Sequence, residues 1–355
     1  MSRLRRIVAR AGSDAEELLE RLRRRRNPGP VQICAYRGMG TPAGLSLSGR
    51  VLEDRGIQPA VDDQTRLRNL RDNWRRFGTR EQTGVLVRAA FKGQTTQART
   101  DAEGYFRLRI EPIPSLDSTL WQTVSLELPD LGVQTTGEVL VPPPAARYAV
   151  ISDIDDTILL SHATDTLKLL RLTFLQNART RLPYAGVAAL YQAFAAGVSG
   201  VEHNPIFYVS SSPWNLYDFL IEFMAFHGLP AGPLFLTDYG LDREQLIKPQ
   251  HTEHKLAQIE WIAATYPHLA LVLIGDSGQH DPEIYLTVAR TYPGRVVAIY
   301  IRHVSDRRRA DEVAALATQA AALGIPLLLT TTSATVAADA LRRGLIAAAS
   351  DRGQR

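Results

Sequence analysis

Cysteine is almost absent. The 355-residue chain has one, Cys34, which excludes an intramolecular disulfide and fits a reducing compartment. No apolar run approaches the ~20 residues a membrane span needs, so the expected location is the cytoplasm, with at most peripheral attachment to membranes. The basic start, Met1–Gly12, lacks the apolar stretch of a secretory leader. Asp14, Glu16, Glu17 and Glu20 follow too soon for an organelle-targeting leader. There is no internal repeat and no low-complexity segment. A zinc centre is not expected: His162, His251, His254 and His280 have no cysteine nearby and none of the spacings of a zinc site. What is present is ordinary for a globular chain, with 45% hydrophobic and 22% charged residues, enough for a core of normal size. The net charge of +4 is a mild basic bias, placed unevenly, with nine arginines in the first 26 residues.

Local patterns divide the chain into four parts. Residues 1–30 read as a basic helical arm: Ser13 with Glu16 forms a capping box, Leu18, Leu19 and Leu22 make one apolar stripe, and Asn27–Pro30 ends the helix. Such an arm is either solvated or in contact with an anionic surface, a membrane or a polyanion. Residues 31–141 read as mostly β, with strands at Val31–Tyr36, Leu45–Leu52, Val85–Ala90, Tyr105–Ile110, Leu120–Leu128 and Val133–Val141, and a basic helical insert at Asp62–Phe77. Short strands with regular turns predict a small sandwich. Asp101 and Glu103 read there as turn residues. Residues 142–146, with Pro142-Pro143-Pro144, form a stiff linker. Residues 147–350 alternate strands (Tyr148–Ser152, Ile206–Ser210, Leu271–Ile274, Val296–Ile301, Leu327–Thr330) with helices such as Trp214–Phe226 and Leu256–Thr265. That alternation predicts an α/β domain with a doubly wound parallel sheet, which binds ligands at the carboxyl ends of its strands.

Four segments of this last part carry chemistry. Apolar Tyr148–Ile151 runs into Ser152-Asp153-Ile154-Asp155-Asp156-Thr157. Carboxylates packed so closely repel one another unless a cation sits among them, and a hard cation such as magnesium prefers oxygen ligands. The alternative is a polar turn capping the next helix. Apolar Ile206–Val209 ends in Ser210-Ser211-Ser212-Pro213. There Ser212 caps a helix that has Pro213 at its first position, and Ser210 adds a hydroxyl to the anion site at the helix start. His254-Lys255 stands just before a helix. By itself Lys255 is a surface charge. Finally Leu273-Ile274 leads into Gly275-Asp276, with Asp281 five residues on, and the glycine permits close backbone approach.

Asp-x-Asp-x-Thr, a strand-end serine, a lysine and Gly-Asp-x4-Asp, in that order over about 147–305, resemble the four motifs of the haloacid dehalogenase superfamily. Segments 152–158, 208–217, 254–259 and 275–285 further resemble the phosphatidate phosphatase family of yeast actin-patch protein type, whose members often carry an upstream β-rich region. The first motif is also similar to that of lipin-type enzymes, which have glycine where Asp156 stands. The resemblance implies a haloacid dehalogenase-like fold and a magnesium-dependent phosphatase of lipid metabolism. It implies Asp153 as nucleophile, forming an aspartyl-phosphate, Asp155 as proton donor and then acceptor, and Ser210 and Lys255 as holders of the phosphoryl oxygens. It implies Mg2+ bound by Asp153, the Asp155 carbonyl, Asp276 and Asp281. Thr157 positions the loop, and Asp156 has no role beyond a supporting hydrogen bond.

Only about 50 residues separate Thr157 from the next strand, filled by helical Asp165–Arg179 and Pro183–Phe194, so no large cap is expected. An open site suits a phosphate on something bulky. Arg171, Arg179 and Arg181 near the entrance fit an anionic headgroup or a solvated helix face. A lipid phosphate substrate is the first expectation. The alternatives are a protein or polynucleotide phosphatase and a non-catalytic anionic-lipid-binding adaptor. Intact Asp153 and Asp155 argue against the adaptor, and the lack of aromatic platforms near the basic segments argues against nucleic acid.

Overall fold

The computed structural model describes residues 29–53, 82–111, 115–117, 119–158, 183–237 and 248–348. The basic arm up to residue 28, the 62–77 insert, the expected helix at 165–179 with the three arginines near it, and most of the segment expected to hold no large cap lie outside the described residues.

Among the described residues seven strands come first: β1 (Val31–Thr41), β2 (Gly44–Glu53), β3 (Leu86–Phe91), β4 (Gln94–Arg99), β5 (Tyr105–Ile110), β6 (Trp121–Leu128) and β7 (Val133–Leu140). They form one sheet in the order β4-β3-β6-β7-β1-β2-β5, antiparallel except for the parallel pair β1–β7. The sequence predicts two packed sheets. Instead the single sheet curls until its edge strands β4 and β5 touch, giving a near-barrel around Leu45, Leu47, Val87, Phe106, Leu108, Val124 and Leu126. The element missing from the sequence reading is β4. Gln94–Arg99 offers no apolar alternation, yet a turn with Lys92 and Gly93 both at positive φ folds it back on β3.

The second sheet holds β8 (Tyr148–Ser152), β9 (Ile206–Pro213), β10 (Leu234–Thr237), β11 (Ala270–Asp276), β12 (Val296–Arg302) and β13 (Leu327–Thr330). Its order is β10-β9-β8-β11-β12-β13, and every pair is parallel. The chain starts at central β8, moves outward through β9 and β10, then crosses to β11 on the other side. Among the described residues six helices accompany these strands: α1 (Val187–Ala196), α2 (Tyr217–Phe226), α3 (Lys248–Thr265), α4 (Asp281–Thr291), α5 (Arg307–Ala322) and α6 (Ser333–Arg342). Strand residues alternate between two cores. Val150, Tyr208, Val272 and Tyr300 pack with α1, α2 and α6, whereas Ile151, Phe207, Leu273 and Ile299 pack with α3, α4 and α5. Burial on both faces is why these strands read as unbroken apolar runs.

Two local expectations are corrected. The helix expected from Leu256 begins at Lys248, so Lys255 lies within α3 and not before it. The segment after Pro213 is a 3-10 turn, Trp214–Leu216, before α2 begins, and no side chain caps that turn. Met39 and Leu140 of the first sheet enter the α3–α5 core of the second. Tyr36 stacks on Trp214 at 4.2 Å, the Arg37 amide donates to the Tyr217 hydroxyl at 2.8 Å, and the Tyr266 hydroxyl donates to the Gly40 carbonyl at 3.1 Å. Among the described residues, no helix is long and apolar enough to cross a membrane.

Candidate active site

The carboxyl ends of β9, β8 and β11 are neighbours in the sheet, and acids that follow β8 and β11 meet there. Asp153 follows β8, with its amide donating to the Ile274 carbonyl of β11 at 2.9 Å. Asp276 ends β11, and Asp281 opens α4. All three are buried, and each supplies an oxygen within 4.8 Å of the others. Gly275 makes this possible: a Cβ there would sit 2.3 Å from an Asp281 carboxylate oxygen. The acids are held by backbone amides. Asp281 accepts from the Asp276 amide at 3.1 Å, and Asp276 accepts from the amides of Gly278 and Gln279 at 2.6 and 3.0 Å.

Lys255 reaches in from α3 and is itself 2% exposed. Its Nζ donates to Asp153 Oδ1 at 2.9 Å and to Asp281 Oδ1 at 2.5 Å. The residue that looked like a surface charge is therefore the one cation described inside the acidic cluster. Burial works against its charge, but Asp153 and Asp281 outweigh burial and hold its pKa above the ordinary lysine range. Burial pushes Asp153 well above the usual carboxylate range, with Lys255 opposing and Asp281 and Asp276 adding to the rise. Burial first, and Asp281 second, push Asp276 up to about 8. Asp153 Oδ2 and Asp276 Oδ2 are buried without a hydrogen-bond partner among the described residues. Two orphaned oxygens among three close carboxylates, with one lysine against them, suit a hard divalent cation, whose charge would reverse the upward shifts.

Asp155 is not one of these three acids and is held by different partners. Its Oδ2 accepts from both the Ser210 hydroxyl at 2.8 Å and the Ser212 hydroxyl at 2.9 Å. Ser210 Oγ in turn accepts from the Ser212 amide at 2.9 Å. Ser212 thus orients Asp155 rather than capping a helix, a role with no local signal because its partner lies 57 residues away. Asp156 has φ +54°, a left-handed conformation that glycine favours and aspartate tolerates. The Thr157 hydroxyl is buried without a partner among the described residues.

Two arginines unmarked in the sequence brace the loops. Arg302, ending β12, lies 3.9 Å over the Tyr184 ring and donates to the Thr157 carbonyl at 3.0 Å. Arg309 donates to the carbonyls of Ser277 and Gln279 at 2.9 and 2.8 Å while paired with Glu283. The pair holds Glu283 below its ordinary pKa although burial opposes this.

The architecture is thus a parallel α/β sheet carrying a buried acid-and-lysine centre at its strand ends. Residues 148–303 match the family described as phosphatidate phosphatase APP1, catalytic domain. Phosphatidate phosphatase APP1 of Saccharomyces cerevisiae is 33% identical over 158 residues, which cover 44% of this chain and 26% of that protein. An uncharacterized protein of Schizosaccharomyces pombe is 26% identical over 215 residues, covering 58% of this chain and 34% of its own length. The alignments thus span about a quarter to a third of these relatives. The crystal structure of a carbohydrate acetylesterase from Xanthomonas citri covers 86% of this chain and 72% of its own at 10% identity. Its TM-score of 0.30 is too low to inform the fold.

Proposed function

We propose that the protein is a phosphatase acting on phosphatidate or related lipid phosphates, with a haloacid dehalogenase-like, doubly wound catalytic domain. The observation that carries this reading is the division of labour between two adjoining clusters: three buried acids around Lys255, and Asp155 held apart by two serines. The family match over residues 148–303 supports it.

In this reading Asp153 Oδ2 attacks phosphorus, Oδ1 being held by Lys255, and the bond to the leaving oxygen breaks as the aspartyl-phosphate forms. Two hydroxyls donate to Asp155 Oδ2, so Oδ1 is the atom that carries the proton to the leaving alkoxide. Asp155 then takes a proton from the water that frees phosphate and restores Asp153. Mg2+ would be held by Asp153, Asp276, Asp281 and the Asp155 carbonyl. When bound it supplies positive charge opposite the phosphoryl oxygens. Lys255 balances the charge of Asp153 and Asp281 and meets the oxygens on which charge builds.

Phosphate release is to be measured from phosphatidate, diacylglycerol pyrophosphate, phosphopeptides and phosphorylated DNA ends. Release is expected from the lipids and lost in Asp153→Asn, whose near-isosteric amide keeps the fold. Release by that variant at the wild-type rate would remove Asp153 from the chemistry. Preference for the peptide or DNA would remove the lipid substrate but leave the mechanism.

A further inference from the structure

The near-barrel and the parallel sheet enclose a groove of about 1140 Å³ that this mechanism does not use. Its two walls differ in chemistry. One is the outer face of β1, β2 and β5. Register sets Tyr36, Ser48 and Arg107 in one row across those strands, and Ser46 opposite Arg109 in the next. Strand alternation keeps Phe106, Leu108 and Ile110 inside the near-barrel and turns Arg107 and Arg109 outward. With Arg37 and Arg99, four arginines line the groove against one acid, Asp101. Arg37 and Arg109 are paired with Glu138 and Glu111, whereas Arg107 has no ion-pair partner among the described residues.

The opposite wall carries no formal charge from acids or from arginine and lysine, and is largely aliphatic and aromatic. It is built from edge strand β10 and from one face of α3, where His254, Ala257, Gln258 and Trp261 recur at helical spacing. Trp261 is 46% exposed and meets Phe235 edge-on at 5.6 Å. The groove follows β10 from Leu234 to Thr237 and ends at the carboxyl edge of the sheet. Two of its lining residues there, His254 and Trp214, stand one residue before Lys255 and two after Ser212.

We propose that this groove seats the acyl chain of a lipid phosphate against Trp261 and the β10–α3 wall, with Arg107 on the first sheet facing the anionic headgroup. The proposal rests on the lipid-phosphate reading above and adds that the β-rich half builds part of the substrate site. Charge complementarity favours this occupant, as does the nearness in sequence of two lining residues, His254 and Trp214, to the site residues Lys255 and Ser212. A single-stranded nucleic acid would also suit the arginines, but it needs free ring faces in series. Tyr36 already covers Trp214 with ring planes 14° apart, and Trp261 alone of the lining rings is exposed.

The test is quenching of tryptophan emission by dioctanoyl phosphatidate brominated on its chains, in full-length Asp153→Asn protein so that no turnover occurs. Saturable quenching is expected. Trp261→Phe should remove most of it, and Arg107→Glu should weaken binding at least tenfold. Arg88→Glu, which reverses an exposed charge outside the groove, should bind like the parent. Thermal melting checks that each variant is folded. Absence of quenching in the parent, or equal affinity in Arg107→Glu and Arg88→Glu, would overturn the proposal. So would a twelve-nucleotide oligothymidylate that displaces the probe and binds more tightly. If the wild type releases no phosphate from dioctanoyl phosphatidate while quenching keeps this pattern, the groove stands and the lipid phosphatase reading falls.

Discussion

Charged residues are placed in two opposite ways in the two halves of this molecule. On the first sheet they pair at the surface, as in Arg88 with Glu127 and Lys92 with Asp117, whose side chains are roughly a third to a half exposed. At the carboxyl edge of the second sheet, Asp153, Lys255, Asp276 and Asp281 are between 0% and 2% exposed. Surface pairs are worth little because water screens them, whereas a buried charge carries a desolvation penalty that only good partners offset. Three acids against one lysine do not balance. A fold built for stability alone would not bury that excess, so the imbalance points to chemistry.

The largest expected effect comes from removing the cation of the buried set. Lys255→Met leaves Asp153 and Asp281 without their partner and should destabilise the protein by about 3–5 kcal/mol, with phosphate release lost. Urea unfolding of this variant beside Lys255→Arg measures it. A loss below about 1 kcal/mol, the range of surface pairs, would place Lys255 with the solvent-exposed charges of the other sheet.

Titration should separate the two regions next. In chelator, the folded protein keeps protons on Asp153 and Asp276 that the unfolded chain has already released. Stability should therefore fall as pH rises from the ordinary aspartate range through about 8, the value to which burial lifts Asp276. Urea midpoints at intervals across that window should decline, and less steeply in Asp276→Asn. Added Mg2+ should flatten the decline, because the cation replaces the protons. Midpoints that rise across the window in chelator would contradict the buried acidic cluster.

Gly275→Ala probes how tightly that cluster is set. The new Cβ would overlap the Asp281 carboxylate, so phosphate release should drop at least tenfold while the protein stays folded. Activity equal to wild type would mean that Asp281 can move without consequence. The smallest effect belongs to the surface of the other sheet: Arg88→Ala should change stability by less than about 1 kcal/mol, and a larger loss in urea unfolding would erase the contrast between the two regions.

Most of the second sheet was legible, because strands buried on both faces must be apolar along their whole length. Tyr148–Ser152 and Leu327–Thr330 have the expected bounds, and the acids after β8 and β11 stand out because polar residues interrupt such runs abruptly. The first sheet was less legible. Its strands could be read from alternation, but β4 has almost no apolar residues, and curling into a near-barrel depends on edge strands meeting across the sheet.

By itself the sequence determined which residue types stand at the strand ends, and so which of them were candidates: Asp153, Asp155, Ser210, Lys255, Asp276 and Asp281. Local spacing suffices for that, because strand period and turn chemistry act over a few residues. Only the tertiary structure decided what those side chains touch. Lys255 meets an acid 102 residues away, Ser212 meets one 57 residues away, and Arg107 and Trp261, 154 residues apart in sequence, come to line one groove. Contacts of that range depend on strand order and on how the sheets pack, and periodicity along the chain carries no record of either.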